Sequence, residues 1–351
     1  MRWIQETSAL IEAVDALRDS PYLAVDTEFL RRSTYFPTLA LIQLQGTHGP
    51  YLIDPLAPDL DLTPLKELFF DPSLVKVLHA ASQDLEILYA LFGAVPYPIM
   101  DTQILSMFCG MDENISYQKL CQVFLDVEIS KTYQDMNWTK RPLTNAEKEY
   151  AADDVRHLYA LYPLLVEKAG PQFAWAQEEM QYFASPGLYI PSAYKAWKRL
   201  KKPGGLTRDQ SASLYYLVMW RDQKAQTSNK IPRWILEDTT LIKLAEVTEV
   251  TATVLTDLKV PPRYHEALLK VLEQAKTPSP EVALILDKLQ VPRIPVQKEQ
   301  IKTFKEHCLA VATAHGIPLS LLARTQDIEA HFQGGKPRFS DGWRAGLLTI
   351  D

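Results

Sequence analysis

The sequence predicts an α/β N-terminal domain, a mixed sheet flanked by helices, followed by two small all-α bundles. Three observations carry that prediction. Apolar runs of strand length alternate with helical patterns up to about residue 166, only helical periodicity follows Thr207, and a basic, aromatic stretch ending in Pro203-Gly204-Gly205 separates the two regimes. At 351 residues the chain has room for two or three domains, and 47% hydrophobic with 23% charged residues is the balance of a globular protein with ample core. The predicted divisions are an α/β domain at 1–168, a linker at 169–206, a helical domain at 207–277, a Pro-rich linker at 278–295 and a shorter helical domain at 296–351.

The opening helix spans Ser8 to Leu17, with Leu10, Ile11, Val14 and Leu17 at helical spacing. Next comes Tyr22-Leu23-Ala24-Val25-Asp26-Thr27-Glu28-Phe29, a strand of apolar and aromatic residues into which two carboxylates are set. A polar connection, Arg31 to Pro37, leads to Leu39–Gln45, and a Gly-bounded turn leads to Tyr51–Asp54. Short links between these three strands predict an antiparallel meander at the start of the sheet. Leu62–Phe69 reads as a helix and Leu74–His79 as a fourth strand. Ser82 is positioned to cap the following helix, whose first turn holds Asp84; further helices are expected from Asp101 and over Ile115–Phe124. Thr144-x-x-Glu147 is a capping box that opens a helix reaching about Val166, with Tyr150 and Asp154 one turn apart on one face and Asp153 turned to solvent.

Tyr194 to Gly205 concentrates Lys195, Lys198, Arg199, Lys201 and Lys202 among aromatics, a pattern for phosphate contact or for a solvated linker. Thr207-x-x-Gln210 is a second capping box, followed by helices near 238–247, 252–258 and 264–275. Thr277–Pro280 and Val291–Pro295 punctuate the chain. The final unit opens with a helix ending at Gly316, and Ile317-Pro318-Leu319-Ser320-Leu321-Leu322 echoes Ile231-Pro232-Arg233-Trp234-Ile235-Leu236, a degenerate repeat.

Several classes are excluded. Met1–Glu6 lacks the start of a signal peptide and no apolar run reaches the length of a membrane span, so a cytoplasmic protein without membrane attachment is expected. Cys109, Cys121 and Cys308 lie too far apart for a zinc site or disulfide framework and are expected buried. A formal charge of −6 argues against coating nucleic acid through bulk charge. No G-x-x-x-x-G-K-[ST] loop occurs, so a nucleotide cofactor is not expected. What remains to explain is the pair Asp26 and Glu28. The period of a strand points both out of one face, where two like charges resist desolvation unless a cation joins them or that face is wet. The pair alone leaves a divalent-metal site and a solvated strand face open. Asp84 and Asp154, on later elements that face the sheet, favour one shared site.

Together these residues resemble the DEDD exonucleases, in the subclass whose third motif carries tyrosine. Val25-Asp26-Thr27-Glu28-Phe29 is similar to the first motif, His79-Ala80-Ala81-Ser82-Gln83-Asp84 to the second, and Tyr150-Ala151-Ala152-Asp153-Asp154 to the third. Within that group the chain most resembles the ribonuclease D family. The resemblance implies a ribonuclease H-like N-terminal fold followed by two HRDC-like bundles, the second incomplete because Trp343 lies so near the chain end. It implies Asp26, Glu28, Asp84 and Asp154 as ligands of two divalent cations, Mg²⁺ or Mn²⁺, with Asp26 bridging both and Tyr150 holding the nucleophilic water. The implied activity is 3'-5' exonucleolytic release of nucleoside 5'-monophosphates from RNA, precursor tRNA and other structured RNA with 3' tails included, by a monomer. Phe29, Tyr35 and Phe36 are candidates to stack on terminal bases, or pack in the core. The alternatives are a DNA 3'-5' exonuclease with the same acids and a non-catalytic nucleic-acid-binding adaptor.

Overall fold

The computed structural model describes residues 1–290 and 297–348. They form two compact units: Met1–Leu30, Leu39–Tyr189 and the described part of Ile294–Asp351 in one, Arg31–Thr38 and the described part of Ile190–Arg293 in the other.

The first unit is built on a six-stranded sheet in the order β1-β4-β3-β2-β5-β6, with β1 Arg2–Ile4, β2 Tyr22–Leu30, β3 Thr38–Gln45, β4 Tyr51–Ile53, β5 Val75–Leu78 and β6 Ile99–Asp101. It is mixed: β3 and β4 are antiparallel, while β1 with β4, β2 with β5, and β5 with β6 are parallel. The sequence reading misses β1 and β6. Three residues are too few to display a period of two, and both strands exist through their neighbours.

The helices of this unit begin with α1 Thr7–Arg18, α2 Lys66–Phe69, α3 Ser82–Phe92, α4 Thr102–Met107, α5 Tyr117–Leu125, α6 Asn145–Ala169 and α7 Phe173–Phe183. The capping box of α6 is formed as predicted: the Thr144 amide donates to Glu147 Oε2 at 2.6 Å and the Glu147 amide to Thr144 Oγ1 at 3.2 Å. From there α6 packs along β2, β4 and β5, burying Val155, Leu158, Leu161 and Leu165 in a core shared with Leu23, Val25, Val77 and Leu85. Tyr22 at the start of β2 stacks on Tyr159 and donates its hydroxyl to the Tyr159 carbonyl at 2.8 Å, fixing α6 against the strand. The three cysteines are free and buried.

The second unit holds α8 Ala193–Arg199, α9 Arg208–Thr227, α10 Pro232–Ile235, α11 Asp238–Glu246, α12 Ala252–Asp257, α13 His265–Ala275 and α14 Pro280–Gln290. Its core gathers around α9, whose Leu214, Leu217 and Val218 are fully buried. Two expected linkers are helical. Within 169–206, α7 belongs to the first core through Ala176 and Met180, and α8 to the second through Trp197, an aromatic anchor that outweighs the charge around it. Within 278–295, α14 buries Val282 and Leu286. Its proline stands at the first helical position, where a missing N–H is harmless. The segment Val291–Pro295, also expected as linker, and the expected start of the last unit at Val296 lie outside the described residues.

The last helices, α15 Lys298–Ala314, α16 Leu319–Leu322, α17 Thr325–Phe332 and α18 Gly342–Ala345, do not make an independent bundle. Cys308, Ala312, Leu322, Ile328 and Phe339 join the core of the first unit. Trp343 stacks on Trp175 with centroids 5.0 Å apart and edges onto Phe108, while its indole Nε1 donates to Glu179 at 2.8 Å. The buried apolar residues of these helices form one continuous core with those of the sheet and its helices. The expected local repeat is nonetheless visible: Ile231-Pro232 and Ile317-Pro318 each lead into a four-residue helix, α10 and α16.

Trp343→Ala is therefore expected to lower the unfolding midpoint of the whole first unit, by an equivalent of about 3–5 kcal/mol, read as lost amide-exchange protection in β2. An independently folded C-terminal bundle would leave β2 protection unchanged.

Candidate active site

Four acids converge from three elements. Asp26 and Glu28 leave β2 two residues apart, Asp154 comes from the third turn of α6, and Asp84 from the first turn of α3. Carboxylate oxygens of Asp26, Glu28 and Asp154 lie within 4.8 Å of one another. Asp84 is 8% exposed, accepts the hydroxyl of Thr27, and lies near enough to raise the pKa of both strand acids. The structure thus brings together all four acids singled out in the sequence, with Tyr150 one helical turn before Asp154.

The start of α3 departs from expectation. Ser82 is its first helical residue, not its cap. Asp101, at the end of β6, supplies the acceptor instead: with φ +53° at Ala80, the amides of Ala80 and Ala81 both reach its carboxylate at 2.9 Å, and the Gln103 amide does so at the same distance. Asp101 therefore fixes the turn from which Asp84 projects. In the sequence Asp101 marks only a helix start, because its contacts to Ala80 and Ala81 span 21 and 20 residues. Thr27 and Tyr117 were also missed. The Tyr117 hydroxyl donates to the carbonyl of Asp154, tying α5 to α6 beside the acids. His79 is hydrogen-bonded to Thr102 at 3.0 Å and pushed down to about 4 by burial, so it stays neutral and structural.

The electrostatics follow from crowding. Burial, then the charges of Asp84, Asp154 and Glu28, holds Asp26 well above the usual carboxylate range. Burial and Asp154 push Glu28 to about 9, and burial with Asp153 pushes Asp154 to about 7. Asp84 rises less, to about 6, because the Thr27 hydroxyl opposes the effect of burial. The Tyr150 hydroxyl is raised above its ordinary value by burial and by the acids Asp154, Glu28 and Asp26. Such a set binds protons or a cation. The oxygen-only donors, with no histidine or cysteine among them, fit hard divalent ions such as Mg²⁺ or Mn²⁺.

The other nucleic-acid candidates divide. Phe29 is half-buried beside Glu28. Tyr35 and Phe36 belong to the second unit, where the Tyr35 hydroxyl donates to Asp222 at 3.0 Å and the Phe36 amide to Asn229 at 3.1 Å. Tyr35 is thus a packing residue, and Phe36 keeps 38% exposure. On α8 and the turn after it, Lys195 Nζ donates to the Ile190 carbonyl at 2.7 Å, Lys198 lies over the Tyr194 ring, and Lys202 caps the Trp197 carbonyl at 2.7 Å while covering its ring. Arg199 contacts the Lys195 carbonyl at 3.4 Å, and Lys201 is exposed. Among the described residues no helix is long and apolar enough to cross a membrane.

Residues 1–169 match the family model of the 3'-5' exonuclease domain. Ribonuclease D of Granulibacter bethesdensis is 32% identical over 99% of this chain and 90% of the relative, and that of Acidiphilium cryptum 33% over 99% and 91%. Among solved structures, Escherichia coli RNase D, described as an exoribonuclease involved in structured RNA processing, superposes with a TM-score of 0.85 at 28% identity, covering 99% of this chain and 96% of that one. With the exonuclease model matched over residues 1–169, relatives of 32–33% identity aligned nearly end to end and a matching fold, the chain belongs to the ribonuclease D family of 3'-5' exoribonucleases.

Proposed function

We propose that this protein trims RNA from its 3' end, releasing one nucleoside 5'-monophosphate per cycle, at a two-metal centre held by Asp26, Glu28, Asp84 and Asp154. The observation that carries the reading is the mutual approach of Asp26, Glu28 and Asp154 within 4.8 Å, with Asp84 beside them. Crowded acids of this kind need positive charge. When bound, a pair of divalent cations supplies it, lowering the pKa of the attacking water and neutralising the departing 3'-oxygen. Asp26, first in the crowded set, is proposed to serve both cations. Tyr150, kept neutral by its surroundings, donates its hydroxyl to orient the water rather than to remove its proton. Attack on the terminal phosphorus breaks the bond to the preceding 3'-oxygen, which takes a proton and leaves as a hydroxyl.

The second unit is read as an HRDC-like module, and the basic residues of α8 and the following turn as phosphate contacts that hold RNA outside an acidic centre. Phe29 is the aromatic proposed to face a terminal base. Precursor tRNA and other structured RNA with 3' tails are the proposed substrates, acted on by a monomer. Support for an RNA substrate comes from the family relationship.

Three outcomes are expected. Asp154→Ala, or chelation with EDTA, removes mononucleotide release from a 3'-labelled RNA by at least about 10²–10³-fold. RNA that is bound but never shortened, in Mg²⁺ and in Mn²⁺, would instead identify an adaptor, and equal trimming of an all-deoxy strand a DNA exonuclease. Second, the raised acids hold protons that the unfolded chain has released, so without cation their contribution to stability is lost as pH rises from about 4 towards the folded value of about 9 for Glu28. Saturating Mg²⁺ should therefore raise the thermal midpoint more at pH 8 than at pH 6, and by less in Asp154→Asn; an equal gain at both pH values argues against this site. Third, Lys198→Ala and Lys201→Ala should each reduce the slope of log affinity against log salt for single-stranded RNA by about 0.7, measured in EDTA. An unchanged slope removes them from the interface.

A further inference from the structure

The loop between α5 and α6, residues 126–144, carries no function so far, yet it meets the ring of Tyr150 on two sides. Trp138 stacks on it with centroids 6.1 Å apart and planes 30° apart, and Tyr133 meets it edge-on at 5.6 Å and 72°. Trp138 is 2% exposed, in a small core of Ala40, Leu41, Leu52, Leu143, Ala151 and Ala152. Its indole N–H is buried without a hydrogen-bond partner. What the indole offers Tyr150 is the flat face of its ring.

Trp138 is itself held from below. The Arg141 guanidinium donates to the Trp138 carbonyl at 2.7 Å, to the Ala40 carbonyl of β3 at 2.6 Å, and to Asp54 at 3.0 and 2.6 Å. Asp54 is 1% exposed and also accepts from Gln5 at 2.9 Å, while its amide donates to the Ile4 carbonyl at the same distance. Burial alone would raise the Asp54 carboxyl, but hydrogen bonds from Arg141 and Gln5 prevail and hold it below the usual range. A charged brace therefore runs from the ends of β1, β3 and β4 through Arg141 to Trp138, and from Trp138 to the ring of Tyr150.

We infer that Trp138, braced by Arg141 and Asp54, is the positioning residue that sets the ring plane of Tyr150 and so the place of its hydroxyl. The inference rests on the reading of Tyr150 as the water-orienting group. A hydroxyl at the end of a phenol ring moves with every tilt of that ring, and productive geometry must hold to about 0.5 Å and 10–20°. Misplacement by about 1 Å costs on the order of 10²-fold in rate. The α6 backbone fixes where the Tyr150 side chain begins; the stacked indole fixes where it ends.

The test is a double-mutant cycle on mononucleotide release from a single-stranded 3' tail in saturating Mg²⁺, with Mg²⁺ affinity and thermal midpoint measured on every variant. Trp138→Leu should lower kcat about tenfold or more with KM and Mg²⁺ affinity little changed, and Trp138→Phe should lower it less. In a Tyr150→Phe background, where the hydroxyl is gone, either Trp138 substitution should cost less than about twofold more, because residues acting as one unit are not additive. Should Trp138→Leu fail to fold, the cycle with Trp138→Phe decides alone. If the two losses multiply, or fall on KM or on Mg²⁺ affinity, Trp138 is a core residue and the inference fails while the reading of Tyr150 stands. If Tyr150→Phe by itself leaves kcat unchanged, the role of Tyr150 fails and the inference with it.

Discussion

Repulsion among carboxylates is the constraint on which the first unit depends. Asp26, Glu28 and Asp154 lie closer than independent surface acids would, and each is pushed towards protonation. Holding them there requires elements that do not yield. The strand β2 is interior to the sheet, between β3 and β5. Helix α6 is capped at its start, stacked on Tyr22 and packed along three strands. Helix α3 begins where Asp101 takes the amides of Ala80 and Ala81. Each device is ordinary; their common effect is to deny the acids the separation that would relieve them.

Local spacing made the acids legible. A period of two set Asp26 with Glu28, and a period of four set Tyr150 with Asp154, so those placements could be read without knowing what else the chain touches. The supports were not legible in the same way. Asp54 and Arg141 are 87 residues apart, and Asp101 serves a turn 20 residues upstream. No periodicity announces a partner at that distance. The short strands β1 and β6 fail for the same reason, since they are defined by pairing rather than by pattern.

Misread linkers have a different cause. Proline and basic clusters ordinarily punctuate a chain, but Pro280 opens a helix and Trp197 anchors one. Composition gave the right flavour and the wrong conformation. The last helices show the limit of patterning most plainly. Apolar spacing identifies α15 as amphipathic without indicating which core it will join, and it joins that of the sheet.

That the first unit draws on residues both before and after the second has an implication for how the protein is made. A chain emerging from N- to C-terminus produces β2, α3 and α6 long before α15–α18, while the described elements of the second unit have all emerged by Gln290. The helical unit can therefore complete its core during synthesis. The unit bearing the acids stays short of Phe339 and Trp343 until the end, and its sheet must wait with that side of its core uncovered. The core of the nuclease portion is thus complete only once α15–α18 have been made.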